Sequence, residues 1–388
     1  MQQRPNLTVA IETYVTRILF DTTTGDRPRA IGVEVQKEEA GLLYQLAARK
    51  EVLVCAGALN TPQTLMLSGI GPREQLAKHG IAPIQESSHV GQHLKDHLCA
   101  TPFLLRCKPE KSIDKYQDSL RALPHLWYWQ LTGSGWMSGN IAESLAFTNV
   151  SDETLRAKVA ASHPAAGRWS DVENHGSMGE GPDLELIALP GCLRDQLLTR
   201  APPGHGVLSI LIIGLRPQSE GEVRLGGDTV WDKAVIDANY FSDEGDNDRK
   251  VLLAGIRMSL AMAKSEALKP YLYDGDQTAE SIDGYDKNNI NHFYYPSSAD
   301  PDTVTDKKLL KWMGGHPCTL YHPIGTARMG PSSSADDSVV DLQMKVNGVD
   351  GLRVCDASIF PEQISGHPAA VVLALAEKCA DMVLGRNA

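Results

Sequence analysis

The sequence predicts a two-domain chain of mixed α/β and α+β class, with one domain assembled from both ends of the polypeptide and a second inserted between them. Three observations carry this expectation. Residues 51–69 read as strand, glycine turn and helix. Residues 351–385 repeat that grammar. The stretch from about Leu98 to Met313 differs in style, with Trp, Tyr and Pro residues clustered at 123–136. A chain of 388 residues has length enough for two cores.

The elements follow in order. Residues 7–20 alternate well enough for one strand or a bent pair, "TTTGDRPRA" is turn-rich, and "IGVEVQ" is a short alternating strand. With residues 51–55 these suggest a β-meander, with Gly25-Asp26 as a hairpin turn. In "VCAGALNTPQTLMLSGIGP", residues 54–72, Thr61 reads as a helix N-cap and Pro62 as the first helical residue. Ser68-Gly69 then stops that helix.

In the middle region, 207–215 and 222–225 read as strands, and 248–268 has apolar residues at helical spacing. The cluster Trp127-Tyr128-Trp129, with Trp136, reads as core sooner than as a wall of the substrate pocket. Two polar stretches near 274–292 and 297–308 read as surface. "GLRVCDASIFP" is a strand ending in Asp356, and 366–385 is a helix with Pro368 in its first turn and Gly385 at its end.

Bulk composition narrows the function classes. The chain is 42% hydrophobic and 22% charged, as ordinary globular proteins are. A net charge of −11 disfavours nucleic acid and anionic membrane as partners. No apolar run reaches the ~18 residues of a membrane span, and the first residues, Met-Gln-Gln-Arg-Pro, lack the apolar core of a signal peptide. The seven cysteines form no C-x-x-C pair and read as free, buried thiols. The His-Pro pairs at 316, 322 and 367 lack metal-ligand spacing, so no metal site is expected.

Five ordered segments are specific enough to carry a resemblance. They are the stretch Gly57 to Gly71; "VGQHLKDHL" at 90–98; "LRPQSEGEVRL" at 215–225; "YHPIGTARMG" at 321–330; and "DASIFPEQISGHPAAVV" at 356–372. Together they resemble the glucose–methanol–choline oxidoreductases, flavoenzymes that oxidise alcohols. His93 stands where that family usually has Asn. The resemblance runs from about Asn6 to Leu384.

The resemblance implies FAD as cofactor and a small-molecule alcohol as substrate. It implies a discontinuous FAD-binding domain over residues 1–97 and 314–388, Rossmann-like but incomplete, and a substrate-binding domain over 98–313 built on an antiparallel sheet. The dinucleotide fingerprint G-x-G-x-x-G occurs nowhere in these residues; the nearest string, Gly133 to Ser138, lacks the third glycine. The expectation is therefore either an incomplete form, cut short of the fingerprint, or a two-chain form whose N-terminal partner chain supplies it. A flavin-free descendant acting as isomerase or cyclase, and a non-catalytic binding protein, are the alternatives.

Histidine suits a base for alcohol oxidation because its pKa lies near working pH. Pro323 and Gly325 leave His322 on a turn. By resemblance His322 is the catalytic base and His367 holds the substrate oxygen beside it. The same likeness implies that Asp356 and Ala357 contact the ribityl–pyrophosphate part of FAD, that Val15 contacts adenine through its backbone, and that His367 and Pro368 present a helix N-terminus to the flavin. Such an end favours negative charge.

Overall fold

The computed structural model describes residues 4–116, 119–139, 141–142, 144–162, 181–194, 199–275, 293–314, 317–331 and 337–386. His292, His316 and most of the first polar stretch lie outside them. The chain divides into two compact units. The first comprises residues 1–96, 219–240 and 322–388; the second comprises 97–218 and 241–321. Residues 219–240, which the sequence reading gave to the inserted domain, cluster with the first unit, and the chain re-enters that unit at His322 rather than Gly314.

The first unit begins with an antiparallel meander of β1 (Tyr14–Asp21), β2 (Arg29–Gln36) and β3 (Tyr44–Ala47). Residues 7–13 add no strand, because the ladder ends where Tyr14 faces Gln36. The β1–β2 connection spans residues 22–28, wider than a two-residue turn at Gly25-Asp26. Strand β4 (Val52–Val54) stands apart from the meander and pairs in parallel with the late strand β14 (Leu352–Val354). The two stretches with strand–turn–helix grammar thus lie side by side.

From β4 the chain enters α1 (Gly57–Leu67), which starts four residues before the Thr61 N-cap that local sequence suggested, so Pro62 is interior. Long-range partners permit this. The Asp356 carboxylate accepts the Gly57 N–H at 2.9 Å. Pro62 cannot bond the Ala58 carbonyl, and the Thr326 hydroxyl donates to that carbonyl at 2.5 Å instead. Ser68 caps the far end and Gly69, at φ +83°, turns the chain away.

Short strands β5 (Ile70–Gly71) and β6 (Gln85–Glu86) flank α2 (Arg73–Lys78). Later, β11 (Glu222–Arg224) and β12 (Val235–Asp237) form a hairpin. Main-chain bonds between Leu94 and Gly221, and from Val223 N–H to Gly91 O at 2.6 Å, tie residues 219–240 to this unit. The unit's core gathers Leu65, Met66, Ile70, Val90, Ile324 and Val354. Helix α7 (Ala369–Val383) begins after Pro368, and Gly385 ends the turn beyond it at φ +67°.

The second unit is a five-stranded antiparallel sheet in the order β13-β7-β10-β9-β8. Its strands are β7 (Leu98–Cys107), β8 (Ser144–Thr148), β9 (Leu184–Leu189), β10 (Gly206–Gly214) and β13 (Pro317–Thr319). Helix α5 (Asn247–Ala263) packs on this sheet, as its apolar spacing predicted. The approach is close enough to demand glycine: a Cβ on Gly255 would lie 2.4 Å from an Ile212 methyl. Helices α3 (Ser119–Thr132), α4 (Glu153–Ser162) and α6 (Asp306–Gly314) also belong to this unit.

Three sequence expectations fail on burial. Ser297, Ser298, Ala299 and Val304, in the second polar stretch, are buried rather than at the surface. Trp127, Tyr128 and Trp129 lie exposed on α3, and Trp136 is only partly buried. Apolar residues occur all round that helix, so composition marked it as core without giving it a buried face. The cysteines were expected to be buried, but Cys55 is exposed and Cys318 and Cys355 are only partly buried.

Candidate active site

Three of the segments singled out in the sequence converge around His322. Residues 93–96 lie on one side of the turn 322–325: Lys95 N–H donates to Ile324 O at 3.2 Å, and Ile324 N–H returns a bond to Lys95 O at 2.9 Å. On the other side runs the segment after Asp356. Ala327 N–H donates to Ser358 O and Met329 N–H to Ile359 O, each at 2.8 Å. Gly325 makes this sandwich possible. Its φ is +89°, and a Cβ there would lie 2.3 Å from the His93 carbonyl oxygen.

The His322 main chain is held at both ends. Its N–H donates to Asp96 Oδ1 at 2.9 Å, and its carbonyl accepts from Gln363 Nε2 at 2.9 Å. Asp96 is buried, and its Oδ2 accepts the Tyr240 hydroxyl at 2.7 Å. The preceding residue, Tyr321, sits at φ +62°, so the backbone kinks sharply into His322.

His367, at the entrance to α7, meets His322 edge to face. Their ring centroids are 4.8 Å apart with planes at 73°. Burial pushes the His322 pKa down to about 4, and the neighbouring His367 pushes it the same way. His322 is therefore neutral at ordinary pH, with a ring nitrogen able to accept a proton. Helix α7 has no side-chain cap at its N-terminus, and its first main-chain bond runs from Val372 N–H to Pro368 O. Its leading N–H groups are the usual orphan donors of a helix end.

Asp356 has a different local role. Its Oδ2 accepts from Gly57 N–H at 2.9 Å and from the Thr61 hydroxyl at 2.6 Å; its Oδ1 accepts from Ser358 N–H at 2.8 Å. The carboxylate thus caps α1 and the short turn that contains Ala357. Val15 lies elsewhere, exposed on edge strand β1 beside a bulge. So the structure pairs His322 with His367–Pro368, sets Asp356 and Ala357 against the His322 turn, and leaves Val15 on a separate element.

Sequence reasoning assigned no role to Asp96, Gln363 or Tyr240. Asp96 and Gln363 fall inside segments already singled out; nothing local marks Tyr240. His93 also has a built environment. At φ +60°, its Nδ1 lies 2.7 Å from Glu220 Oε2 and its Nε2 lies 2.9 Å from His89 Nδ1. The bond to His93, assisted by Lys95, holds the Glu220 carboxyl down at about 2. Lys95, buried along its stem, also bonds Glu362 at 2.7 Å.

Two profiles described as GMC oxidoreductase match this chain, the N-terminal one over residues 1–99 and the C-terminal one over 217–376. The chain belongs to the GMC oxidoreductases. Among its relatives it is 37% identical to "Dehydrogenase str4" of Strobilurus tenacellus, over 98% of this chain and 59% of that protein. It is 27% identical to choline oxidase of Arthrobacter globiformis, over 100% of this chain and 57% of the relative. A solved structure of formate oxidase from Aspergillus oryzae RIB40, concerned with FAD modification, superposes with a TM-score of 0.79 at 29% identity. That match covers 99% of this chain and 62% of the formate oxidase. This GMC chain therefore spans about three fifths of the relatives it matches.

Proposed function

We propose that this chain takes part in FAD-dependent oxidation of a primary or secondary alcohol to a carbonyl, with His322 as base. The observation that carries the reading is the edge-to-face pair of His322 and His367, one of them held neutral. The membership in the GMC oxidoreductases supports it.

The residues present fit FAD. The side-chain-uncapped N-terminus of α7 suits an electron-rich ring edge, because its N–H groups and dipole favour negative charge. Asp356 spends its carboxylate on three protein donors, so on this reading its segment meets the ribityl–pyrophosphate part through main-chain atoms of Asp356 and Ala357. Val15 offers the adenine its backbone on an edge strand. When bound, FAD supplies the acceptor for the hydride of the alcohol carbon. His367 holds the alcohol oxygen, and a neutral His322 ring nitrogen takes the hydroxyl proton. The first unit is then the cofactor side and the second unit, with its antiparallel sheet, the substrate side.

The test follows bleaching of visible flavin absorbance by a panel of alcohols under anaerobic conditions. One arm uses the chain with FAD alone. A second supplies in trans a GMC segment that carries G-x-G-x-x-G. Alcohol-dependent bleaching in either arm supports the reading; flavin that no alcohol reduces in both arms overturns it.

A further inference from the structure

Asp96, Tyr240 and His322 share a topological position. Asp96 is the last residue before the chain first leaves the first unit, Tyr240 the last before it leaves again, and His322 the first after the final return. Segments 226 residues apart in sequence are joined here through one carboxylate, whose Oδ1 takes the His322 N–H at 2.9 Å and whose Oδ2 takes the Tyr240 hydroxyl at 2.7 Å. We propose that Asp96 is a positioning residue for the His322 base, and that Tyr240 fixes the Asp96 carboxylate in the orientation this requires. The proposal rests on the reading of His322 as base.

His322 follows Tyr321 at φ +62°, which is neither helix nor strand, so no regular main-chain ladder can serve its N–H. A half-buried N–H without an acceptor is costly. Asp96 Oδ1 supplies that acceptor at 2.9 Å. The carboxylate must then present one oxygen to each donor, and a hydroxyl on Oδ2 stops it from rotating. The His322 carbonyl is held independently by Gln363, and Lys95–Ile324 main-chain bonds fix the turn two residues on. With its backbone pinned at N–H and C=O, the His322 ring can meet His367 only along a narrow set of directions. Misplacing such a group by about 1 Å costs on the order of 100-fold in rate.

The test compares Asp96→Ala, Asp96→Asn and Tyr240→Phe in the whole chain. Its primary readout, amide hydrogen exchange at His322, is independent of catalysis. Asp96→Ala should speed that exchange at least tenfold while core amides such as Leu65 and Met66 keep their rates. Asp96→Asn keeps an oxygen for the His322 N–H and should restore most of the protection. Tyr240→Phe should give an intermediate loss. In flavin-loaded protein, Asp96→Ala should lower kcat tenfold or more with KM nearly unchanged, and Asp96→Asn should recover part of it. Wild-type exchange at His322 in Asp96→Ala, or equal loss in the Ala and Asn variants, would overturn the proposal. Loss of exchange protection in a protein that no alcohol reduces would sustain the clamp and reject the functional reading, so the two failures are separable.

Discussion

The Thr61 hydroxyl donates to Asp356 Oδ2 at 2.6 Å across 295 residues of sequence. This bond joins the strand–turn–helix units of the two chain ends. The same Asp356 oxygen accepts the Gly57 N–H, so one carboxylate caps α1 from the far end of the polypeptide. Asp356→Ala would strand three donors, those of Gly57, Thr61 and Ser358. We expect a loss of about 3 kcal/mol, since each buried unsatisfied group costs roughly 1–3 kcal/mol and water reaches part of the site. Thr61→Val should cost less, about 1 kcal/mol. Denaturant unfolding at neutral pH checks both, and an Asp356→Ala protein as stable as wild type would refute the capping role.

The His322 imidazole should titrate abnormally. His322 is pushed down to about 4 from an ordinary 6.5, with burial the larger cause and His367 the smaller. The unfolded chain then binds the His322 proton between about pH 4 and 6.5 while the folded chain does not. The sign follows: this group's contribution to stability is full above 6.5 and is lost as pH falls towards 4. His367→Ala should raise the His322 midpoint without restoring 6.5. Ring titration by NMR reads this directly, and an unchanged midpoint in His367→Ala would remove the proposed coupling.

Gly325 should tolerate no side chain. At φ +89°, with the His93 carbonyl oxygen 2.3 Å from the place of a Cβ, Gly325→Ala must move backbone on one side or the other. The left-handed conformation alone costs a non-glycine residue of order 1–3 kcal/mol. We expect both lower stability and a displaced His322 turn, visible as a changed His322 amide shift. A Gly325→Ala protein with wild-type stability would show that the segments are not tightly packed.

Asp183, in the second unit, should be a liability at neutral pH. Burial raises its pKa to about 6, its Oδ1 accepts from Val150 N–H at 2.9 Å, and its buried Oδ2 has no hydrogen-bond partner among the described residues. The folded chain binds this proton more readily than the unfolded chain, so stability falls as pH rises from about 4 to 6. Asp183→Asn removes the charge and keeps the Val150 acceptor. It should stabilise the protein by about 1–2 kcal/mol at pH 7 and change little at pH 4. Equal effects at both pH values would contradict the assignment.

Much of this was legible in the sequence because the signals were local. The strands at 52–54 and 352–354, the helix after Pro368 and the stop at Ser68-Gly69 each carry their own punctuation. What was illegible depended on partners far away in sequence. Thr61 read as a helix start because local rules place an N-cap before Pro62; the real cap comes from Asp356. The aromatic run at 127–129 read as core because composition cannot report whether a helix finds a partner for each face. Cys55 read as buried because it ends an apolar strand, yet it stands past the last paired residue, Val54. His322 and His367 were recognisable from their segments, but the carboxylate that holds His322 was not, since its second ligand, Tyr240, has no local mark.

The central claim is that His322 takes the alcohol proton. It is tested most directly by the rate of anaerobic flavin reduction by a saturating alcohol, measured from pH 4 to 8 for wild type and His322→Asn. The account predicts a wild-type rate that falls only on the acid side, as His322 becomes protonated, and a rate at least 100-fold lower in His322→Asn with that acid limb gone. A His322→Asn protein that reduces its flavin at the wild-type rate, with the acid limb intact, would contradict it.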